Sequence, residues 1–149
     1  MRLLAILSLA LTASPLAWSP SPAPPATAAA QPGATATLEA IYWRLTRLGE
    51  TEVAAKDTPR EPHLVFGPGG TVTGSDGCNS LRGTYEVKGD TLRVRSLMGT
   101  LMACTLPNDL DRHFRDALGK TGKWKASATD LTLLDESGAA LARFAAVPR

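Results

Sequence analysis

The sequence is poor in the residues that most often mark an active site or a charged partner. Its 149 residues include two cysteines and two histidines, and its formal net charge is only +2. With no short Cys-x-x-Cys or His-x-x-x-His spacing, these few side chains form no zinc motif. The balanced charge gives no electrostatic reason to expect nucleic acid or an anionic membrane as a partner. The glycine-rich stretch 67–77 lacks the Gly-Lys-Ser/Thr end of a phosphate loop, and no Gly-x-Ser-x-Gly motif occurs.

The first thirty residues have the layout of a secretory signal peptide. Arg2 is followed by an apolar segment from Leu3 to about Leu11, which is too short to span a bilayer, and then by a tract rich in proline and alanine. Small residues in this tract fit an A-x-A site, so cleavage is expected near Ala28–Ala30. We therefore predict a signal peptide at 1–30 and a periplasmic or secreted protein. The alternative is a disordered tail on a cytosolic protein.

Export also determines the expected domain organisation. Cleavage after residue 30 would leave 119 residues with 15 Lys+Arg and 14 Asp+Glu, a net charge of about +1. This length is enough for one domain with a modest core. No cysteine lies near the cleavage sites, so neither a lipid nor another membrane anchor is predicted. We expect a flexible leader at 31–39 and a single domain at 40–147, whose oligomeric state the sequence leaves open.

From about residue 40 onward, short apolar strands alternate with turn residues. Leu92 and Val94 share one face of such a strand, and the preceding Lys88-Gly89-Asp90 is typical of a hairpin turn. We predict a mainly β domain of seven or eight antiparallel strands, which close or nearly close into a barrel and so hide their edges. The predicted strands cover about 40–47, 63–66, 71–73, 81–87, 91–96, 123–126, 131–134 and 140–145, with a brief edge strand at Val53.

One helix interrupts the strands. Pro107 suits its first turn, Thr105 or Asn108 is placed to cap its start, and Gly119 is placed to end it. Four apolar residues recur at i, i+4, i+7 and i+8, which is one face of a 3.6-residue period. This face, predicted to pack against the sheet, consists of Leu110, Phe114, Ala117 and Leu118.

A series of short motifs runs through about residues 40–145. Two of them contain the cysteines: Gly74-x-x-Gly77-Cys78-Asn79 and Thr100-x-Met102-Ala103-Cys104. Together with an early tryptophan and a Gly-x-Tyr between the two cysteine motifs, their order and separation are specific. The sequence in this respect resembles the META/HslJ-like domain family. The motif residues are Trp43, Gly74, Gly77, Cys78, Asn79, Gly83, Tyr85, Thr100, Met102, Ala103 and Cys104.

The resemblance has implications for both fold and function. It implies a small antiparallel β-barrel-like domain of lipocalin-like topology with one α-helix. It also implies a role in the cell envelope, since the family's heat-inducible bacterial members are linked to stress and antibiotic tolerance. It brings no catalytic activity. This chain differs from the lipid-anchored members because it lacks their lipidation cysteine.

The two cysteines allow three interpretations. In an oxidising compartment, an even count with one possible pairing favours a Cys78–Cys104 disulfide. The second interpretation is a pair of buried free thiols. The third is a catalytic thiol at Cys78 with His63 or His113 as its base. Such a nucleophile requires a lowered thiol pKa and a base within reach, and the sequence shows neither.

The remaining conspicuous residues are expected to be core residues. Small barrels are usually filled by their own side chains, so we expect the aromatic residues to fill the barrel, with a ligand cavity as the alternative. We also expect Met98 and Met102 to lie on one buried strand face rather than to bind copper. The aromatic residues in question are Trp43, Phe66, Tyr85, Phe114, Trp124 and Phe144.

These observations lead to one functional prediction and one alternative. We predict a non-catalytic protein without a cofactor or a metal, which acts in envelope stress tolerance. Its partner is expected to be an unknown envelope protein or a small apolar ligand, and not nucleic acid. The alternative is a thiol-dependent redox or hydrolytic enzyme that uses Cys78.

Overall fold

The computed structural model describes residues 38–55 and 60–148. The predicted signal peptide, its cleavage sites and most of the predicted leader lie outside these residues. Within them the chain forms nine strands and one α-helix, which follows the sixth strand. The elements are β1 (Tyr42–Leu48), β2 (Thr51–Glu52), β3 (His63–Gly67), β4 (Thr71–Ser75), β5 (Ser80–Lys88), β6 (Thr91–Gly99), α1 (Leu110–Lys120), β7 (Lys123–Ala126), β8 (Asp130–Leu134) and β9 (Ala140–Val147).

Eight of the strands close into an antiparallel barrel. They pair in the order β1-β3-β4-β5-β6-β7-β8-β9, and the pairing of β9 with β1 closes the ring. This closing ladder runs from Tyr42 opposite Val147 to Leu48 opposite Ala142. The two-residue β2 pairs only with the end of β1. The predicted mainly β, barrel-like fold with one helix is therefore confirmed.

Alternating burial shows why these segments form a barrel wall. From Ser80 to Glu86, exposed and buried residues alternate along β5, with Leu81 and Tyr85 buried. This period of two hides one face of the strand and leaves the other in water.

The described part of the chain has no helix that is both long enough and apolar enough to cross a membrane.

The barrel interior is filled by its own side chains. Trp43, Phe66 and Phe114 are fully buried, and the ring of Tyr85 meets that of Phe66 edge-on at a centroid distance of 4.9 Å. Such an edge-to-face arrangement is favourable for aromatic pairs. All six aromatic residues that were expected in the core are buried, so that prediction is confirmed.

Helix α1 packs against β1, β6 and β9 through the predicted face. Phe114, Ala117 and Leu118 are its buried residues, and the rings of Phe114 and Phe144 lie 6.0 Å apart. The side chain of Arg112, on the opposite side of the helix, is 70% exposed. The helix therefore adds its apolar face to the barrel core, as its sequence period predicts.

The start of the helix differs from the prediction. Residues Pro107–Asp109 form a short 3-10 turn before Leu110, and Asn108 and Asp109 both have left-handed backbones, with φ of 57° and 49°. Among the described residues, no side chain accepts a capping hydrogen bond there, so neither Thr105 nor Asn108 is the cap. An N-cap normally has an extended backbone, and the left-handed Asn108 is not placed to accept from the first turn.

Both methionines lie outside the core, so the prediction for them was wrong. Met98 is 67% exposed and Met102 is 47% exposed. Met98 lies opposite Arg82 on the outer face of the barrel, and Met102 lies beyond the end of β6. For Met98 the reason is an irregularity in the ladder near Ser96, whose φ is 50°. A bulge of this kind adds one residue to the strand and reverses the side-chain alternation that follows it.

The packed region begins before residue 40. Leu38, which the sequence placed in the flexible leader, is fully buried. Its carbonyl oxygen accepts a hydrogen bond of 3.0 Å from the indole Nε1–H of Trp43. A buried tryptophan normally finds such a partner for its N–H, and here the residue preceding β1 supplies it.

Candidate ligand cleft and the cysteine loop

The structure joins Cys78 to Cys104 in a disulfide, the pairing that the sequence favours. Their Cα atoms are 6.1 Å apart, within the usual range for a bridge. Cys78 is buried in the loop between β4 and β5, and Cys104 lies in the segment between β6 and the helix. The bond therefore ties this loop to the approach to the helix and leaves neither sulfur as a thiol.

Asp76 organises the cysteine loop from within. Its carboxylate is fully buried, and Oδ1 accepts the backbone N–H of Cys78 at 3.0 Å and of Asn79 at 2.6 Å. Its Oδ2 lies 3.4 Å from Nε of Arg115 on the helix. A buried carboxylate is costly unless it has partners of this kind. Asp76 thus fixes the turn at the cysteine and links it to helix α1.

Asn79 holds the segment that carries the second cysteine. Its Oδ1 accepts the backbone N–H of Met102 at 2.8 Å and the hydroxyl of Thr100 at 3.1 Å. The Thr100 hydroxyl in turn accepts the N–H of Ser80 at 3.2 Å. The Asn79 side chain thus bonds residues 21 and 23 positions away, while Asp76 supports the turn.

Glycine is required by the backbone at two motif positions. A Cβ on Gly74 would collide with the carbonyl oxygen of His63 on the neighbouring strand. Gly77 has a φ of 97°, and a Cβ there would lie 3.2 Å from both Leu106 and Pro62. These two glycines therefore allow a close strand crossing and a left-handed turn.

Further motif residues also make contacts within the fold. The Tyr85 hydroxyl donates to Glu39 at 2.7 Å and lies 3.2 Å from the Gly67 carbonyl oxygen. Burial, and then the hydrogen bond to Glu39, raise the pKa of Tyr85 well above its ordinary value. Gly83 is buried in β5, where a Cβ would press on β6, whereas Ala103 is exposed. No contact among the described residues explains the presence of Ala103 in the motif.

A second buried carboxylate, Glu61, lies just before β3 and was not anticipated from the sequence. It is 3% exposed, its Oε1 accepts from the Tyr42 hydroxyl at 2.8 Å, and its Oε2 lies 2.8 Å from Nε of Arg44. His63 stacks on Tyr42 at a centroid distance of 4.4 Å, and its Nδ1 lies 2.8 Å from the Glu61 backbone oxygen. This histidine, considered above as a base for a cysteine, thus belongs to a cluster centred on a carboxylate.

A cleft of about 610 Å³ lies beside the helix. Helix residues, including Leu110 and His113, form one side of it, and the segment 51–54 that follows β1 lines it as well. Gly77 of the cysteine loop is also part of the lining. The volume falls in the range of roughly 300–1,000 Å³ that is usual for small-molecule sites.

The cleft has an apolar lining and charged residues at its margin. Glu52 forms a 2.8 Å ion pair with Arg47, which satisfies that carboxylate. No ion pair of Arg60, Asp116 or Lys120 occurs within the described part of the chain, and all three are exposed. Such a combination suits a ligand that is mainly apolar and carries one polar end. The apolar lining comprises Leu48, Val53, Ala54, Pro62, Leu106, Pro107, Leu110, Ala117 and Leu141.

The predicted and observed sites overlap only in part. The fold brings the cysteine motifs together, and one motif residue, Gly77, reaches the cleft. His113 also lines the cleft, although it was considered only as a base for Cys78. Within residues 38–55 and 60–148, no group of three or more His, Cys, Asp or Glu side chains is arranged to hold a metal ion.

Comparison with known proteins identifies both the fold and the family. An NMR structure of a protein from Burkholderia xenovorans is 24% identical, with a TM-score of 0.62, and the alignment covers 93% of this chain and 100% of that one. A second protein solved by NMR is 24% identical, with a TM-score of 0.59 and coverage of 73% and 92%. A DUF4847 family protein from Bacteroides vulgatus, solved by crystallography, is 16% identical, with a TM-score of 0.57 and coverage of 76% and 96%.

These identities establish a shared fold and nothing more specific. No curated protein matches the sequence significantly. The family model of the META domain, however, matches residues 36–148, which is most of the chain and includes both cysteine motifs. The chain therefore belongs to the META domain family.

Proposed function

We propose that this protein is an exported, non-catalytic binding protein that holds a small apolar ligand in the cleft beside helix α1. The observation that carries the proposal is the cleft itself, with its volume of about 610 Å³ and its apolar lining. Contact between this apolar lining and water is unfavourable. A bound apolar molecule would remove that surface from water.

The filled barrel supports a ligand site beside the helix rather than inside the barrel. The largest interior side chains, including Trp43 and Phe144, are at most 1% exposed and occupy the centre. A lipocalin-like carrier would need an open interior instead. Arg60 and Lys120 at the margin of the cleft are suited to a ligand with an anionic or polar end.

The disulfide supports a binding role over an enzyme that uses Cys78 as a free thiol nucleophile. A thiol nucleophile or redox thiol must exist as a thiolate at some stage. The Cys78 sulfur is bonded to Cys104, and the loop around it is fixed by Asp76. Titration of the native, non-reduced protein should therefore find no free thiol. A reactive thiol in that titration would favour the enzyme.

Export and envelope stress tolerance are also part of the proposal. Export is supported by the composition of residues 1–30, and the stress role by the family resemblance. Intact-mass measurement of protein from its host should give a mature N-terminus at Ala29 or Gln31. Recovery of uncleaved chain from the cytoplasm would contradict export. A strain lacking the protein should survive heat or antibiotic exposure less well than its parent.

Binding can be tested with N-phenyl-1-naphthylamine, an uncharged probe whose fluorescence rises in apolar surroundings. We expect saturable binding to the native protein. His113→Trp, which places an indole at the cleft, should weaken binding at least about tenfold, equivalent to about 1.4 kcal/mol. Arg112→Trp is the matched control, because it adds the same side chain to the neighbouring helix residue, whose side chain is 70% exposed and does not line the cleft.

The possible results of this titration are distinct. Equal loss of affinity in both variants, or no saturable binding by the native protein, would contradict a ligand site in the cleft. Thermal melts of both variants should match the native protein, since both substituted residues are exposed. If crosslinking in the envelope instead captures one protein across the segment 51–54, the occupant is a partner protein rather than a small ligand.

A further inference from the structure

Three large apolar side chains are exposed together on a short stretch after the bulge of β6. Leu101 is 95% exposed, Met98 is 67% exposed and Met102 is 47% exposed. Among the described residues these are the large hydrophobic side chains with the most exposure, and none of them lines the cleft. We call them the 98–102 patch. Single exposed apolar residues are ordinary, but three within five positions form a feature of the surface.

The fold holds this patch out of the core. Met98 pairs with Arg82 in the β5–β6 ladder, which fixes it on the outer face. The backbone N–H of Thr100 donates to the Ser80 carbonyl oxygen at 3.1 Å, and that of Met102 donates to Asn79 at 2.8 Å. Cys104, which is bonded to Cys78, lies two residues after Met102. The exposed side chains are therefore presented by an anchored backbone.

An arginine lies directly beside the patch in the β5–β6 ladder. Arg82 is exposed beside Met98, and the part of the chain that the structure describes contains no ion pair of Arg82. Arg95 is exposed on the same outer face, 3.7 Å from the exposed Glu86. From Thr91 to Leu106 the sequence contains two arginines and no carboxylate. Because Arg93 and Arg95 pair with Glu136 and Glu86, the positive charge that the described residues leave available beside the patch is that of Arg82.

The size of the patch favours a lipid surface over a protein partner. Three side chains expose on the order of a few hundred Å², whereas each partner in a stable protein complex normally buries ~800 Å². A bilayer interface accepts a small apolar patch without complementary shape, and the neighbouring Arg82 strengthens the contact where the lipids are anionic. We propose that the 98–102 patch docks the protein reversibly on an anionic lipid bilayer.

Vesicle sedimentation tests this proposal on the protein as its host processes it. Wild-type protein should sediment with phosphatidylglycerol-containing vesicles, bind less to pure phosphatidylcholine vesicles, and be released by salt. Leu101→Glu should weaken binding at least about tenfold, because it replaces the most exposed apolar side chain by a carboxylate. Arg82→Glu should weaken binding to the anionic vesicles specifically. The control is Ala126→Glu, which adds the same charge at an exposed position of β7 and should bind more tightly than Leu101→Glu.

Several results would overturn the proposal. Equal loss in Leu101→Glu and Ala126→Glu would show that added charge, not the patch, decides binding. Failure of the wild-type protein to sediment with any vesicle would also contradict it. A photo-crosslinker at position 101 that captures one envelope protein in cells, and no lipid, would identify the patch as a protein interface. Thermal melts check that each variant is folded.

Discussion

Replacement of Asp76 by alanine tests whether the cysteine motif is built mainly for structure. In the native protein, Asp76 Oδ1 accepts the N–H groups of Cys78 and Asn79 at 3.0 and 2.6 Å, in a fully buried setting. The substitution leaves both N–H groups without this acceptor. Each buried unpaired donor costs about 1–3 kcal/mol, so we expect Asp76→Ala to lower the free energy of unfolding by about 3–5 kcal/mol.

Two further variants separate the hydrogen bonds from the ion pair. Asp76→Asn keeps an acceptor oxygen but loses the charge facing Arg115, so its cost should be smaller, about 1–2 kcal/mol. Asp111 shares Arg115 at 3.4 Å, and its carboxylate accepts no backbone N–H among the hydrogen bonds of the described residues. Asp111→Ala is therefore the control and should cost less than about 1 kcal/mol.

Urea denaturation under oxidising conditions measures these differences. Fluorescence of the buried Trp43 and Trp124 reports unfolding, and the intact disulfide keeps the comparison to one change at a time. A similar midpoint for Asp76→Ala and Asp111→Ala would refute the role assigned to the Asp76 hydrogen bonds. So would a loss of less than about 1 kcal/mol in Asp76→Ala, since even one unpaired buried N–H costs more.

Three other predictions concern the bridge, the helix and the core tyrosine. The Cys78–Cys104 bridge has a sequence separation of 26 and so closes a loop of 27 residues. Its reduction should lower the free energy of unfolding by roughly 3.5 kcal/mol, and calorimetry should still show a folded protein. A non-reducing digest in which the two cysteine peptides are unlinked would contradict the bridge. Phe114→Ala should lower the free energy of unfolding by about 3–5 kcal/mol because the ring is fully buried. Arg112→Ala, at an exposed position, should lower it by less than about 0.5 kcal/mol. Equal denaturation midpoints for the two variants would mean that the helix face is wrongly assigned. The pKa of Tyr85 is raised in the folded state, so the folded protein keeps this proton to higher pH than the unfolded chain does. The protonated tyrosine therefore contributes fully to the free energy of unfolding below pH ~10, and this contribution is lost as the pH rises further. Alkaline melts of Tyr85→Phe should therefore fall less steeply above pH ~10 than those of the native protein, and parallel curves would contradict this.

Local patterns in the sequence predicted most of the fold. Alternation over two residues identified strands such as β5, and the period of 3.6 identified the buried face that includes Phe114 and Leu118. Cysteine count alone allowed only one bridge. The strands and the helix face depend on the residues of one segment, and two cysteines allow a single pairing, so the sequence was sufficient to predict them.

What the sequence did not predict depends on contacts between distant segments. Asn79 bonds Met102 across 23 positions, and Glu61 is buried by partners on another strand. The bulge near Ser96 reversed the expected side for Met98, because one extra residue changes every later position in a strand. An aspartate two residues before Cys78 was the one available signal for the loop, since such residues commonly accept from N–H groups shortly after them.

The cleft was not predictable because no single segment contains it. Its lining combines residues of β1, the segment after β1, the cysteine loop, the helix and β9. Each of these apolar residues taken alone is an ordinary core residue or an ordinary exposed one. Only closure of the barrel and placement of the helix bring Leu48, Leu110 and Leu141 together.

The most direct test of a ligand site beside the helix is an NMR measurement on methyl-labelled protein saturated with N-phenyl-1-naphthylamine. Intermolecular NOEs from the naphthalene protons should reach methyl groups of the cleft, namely those of Leu48, Val53, Leu106, Leu110 and Leu141. The buried barrel methyls of Leu64 and Leu131 should show none, because the interior is already filled. NOEs to those two residues, or to Leu101 alone, would contradict a ligand site in the cleft.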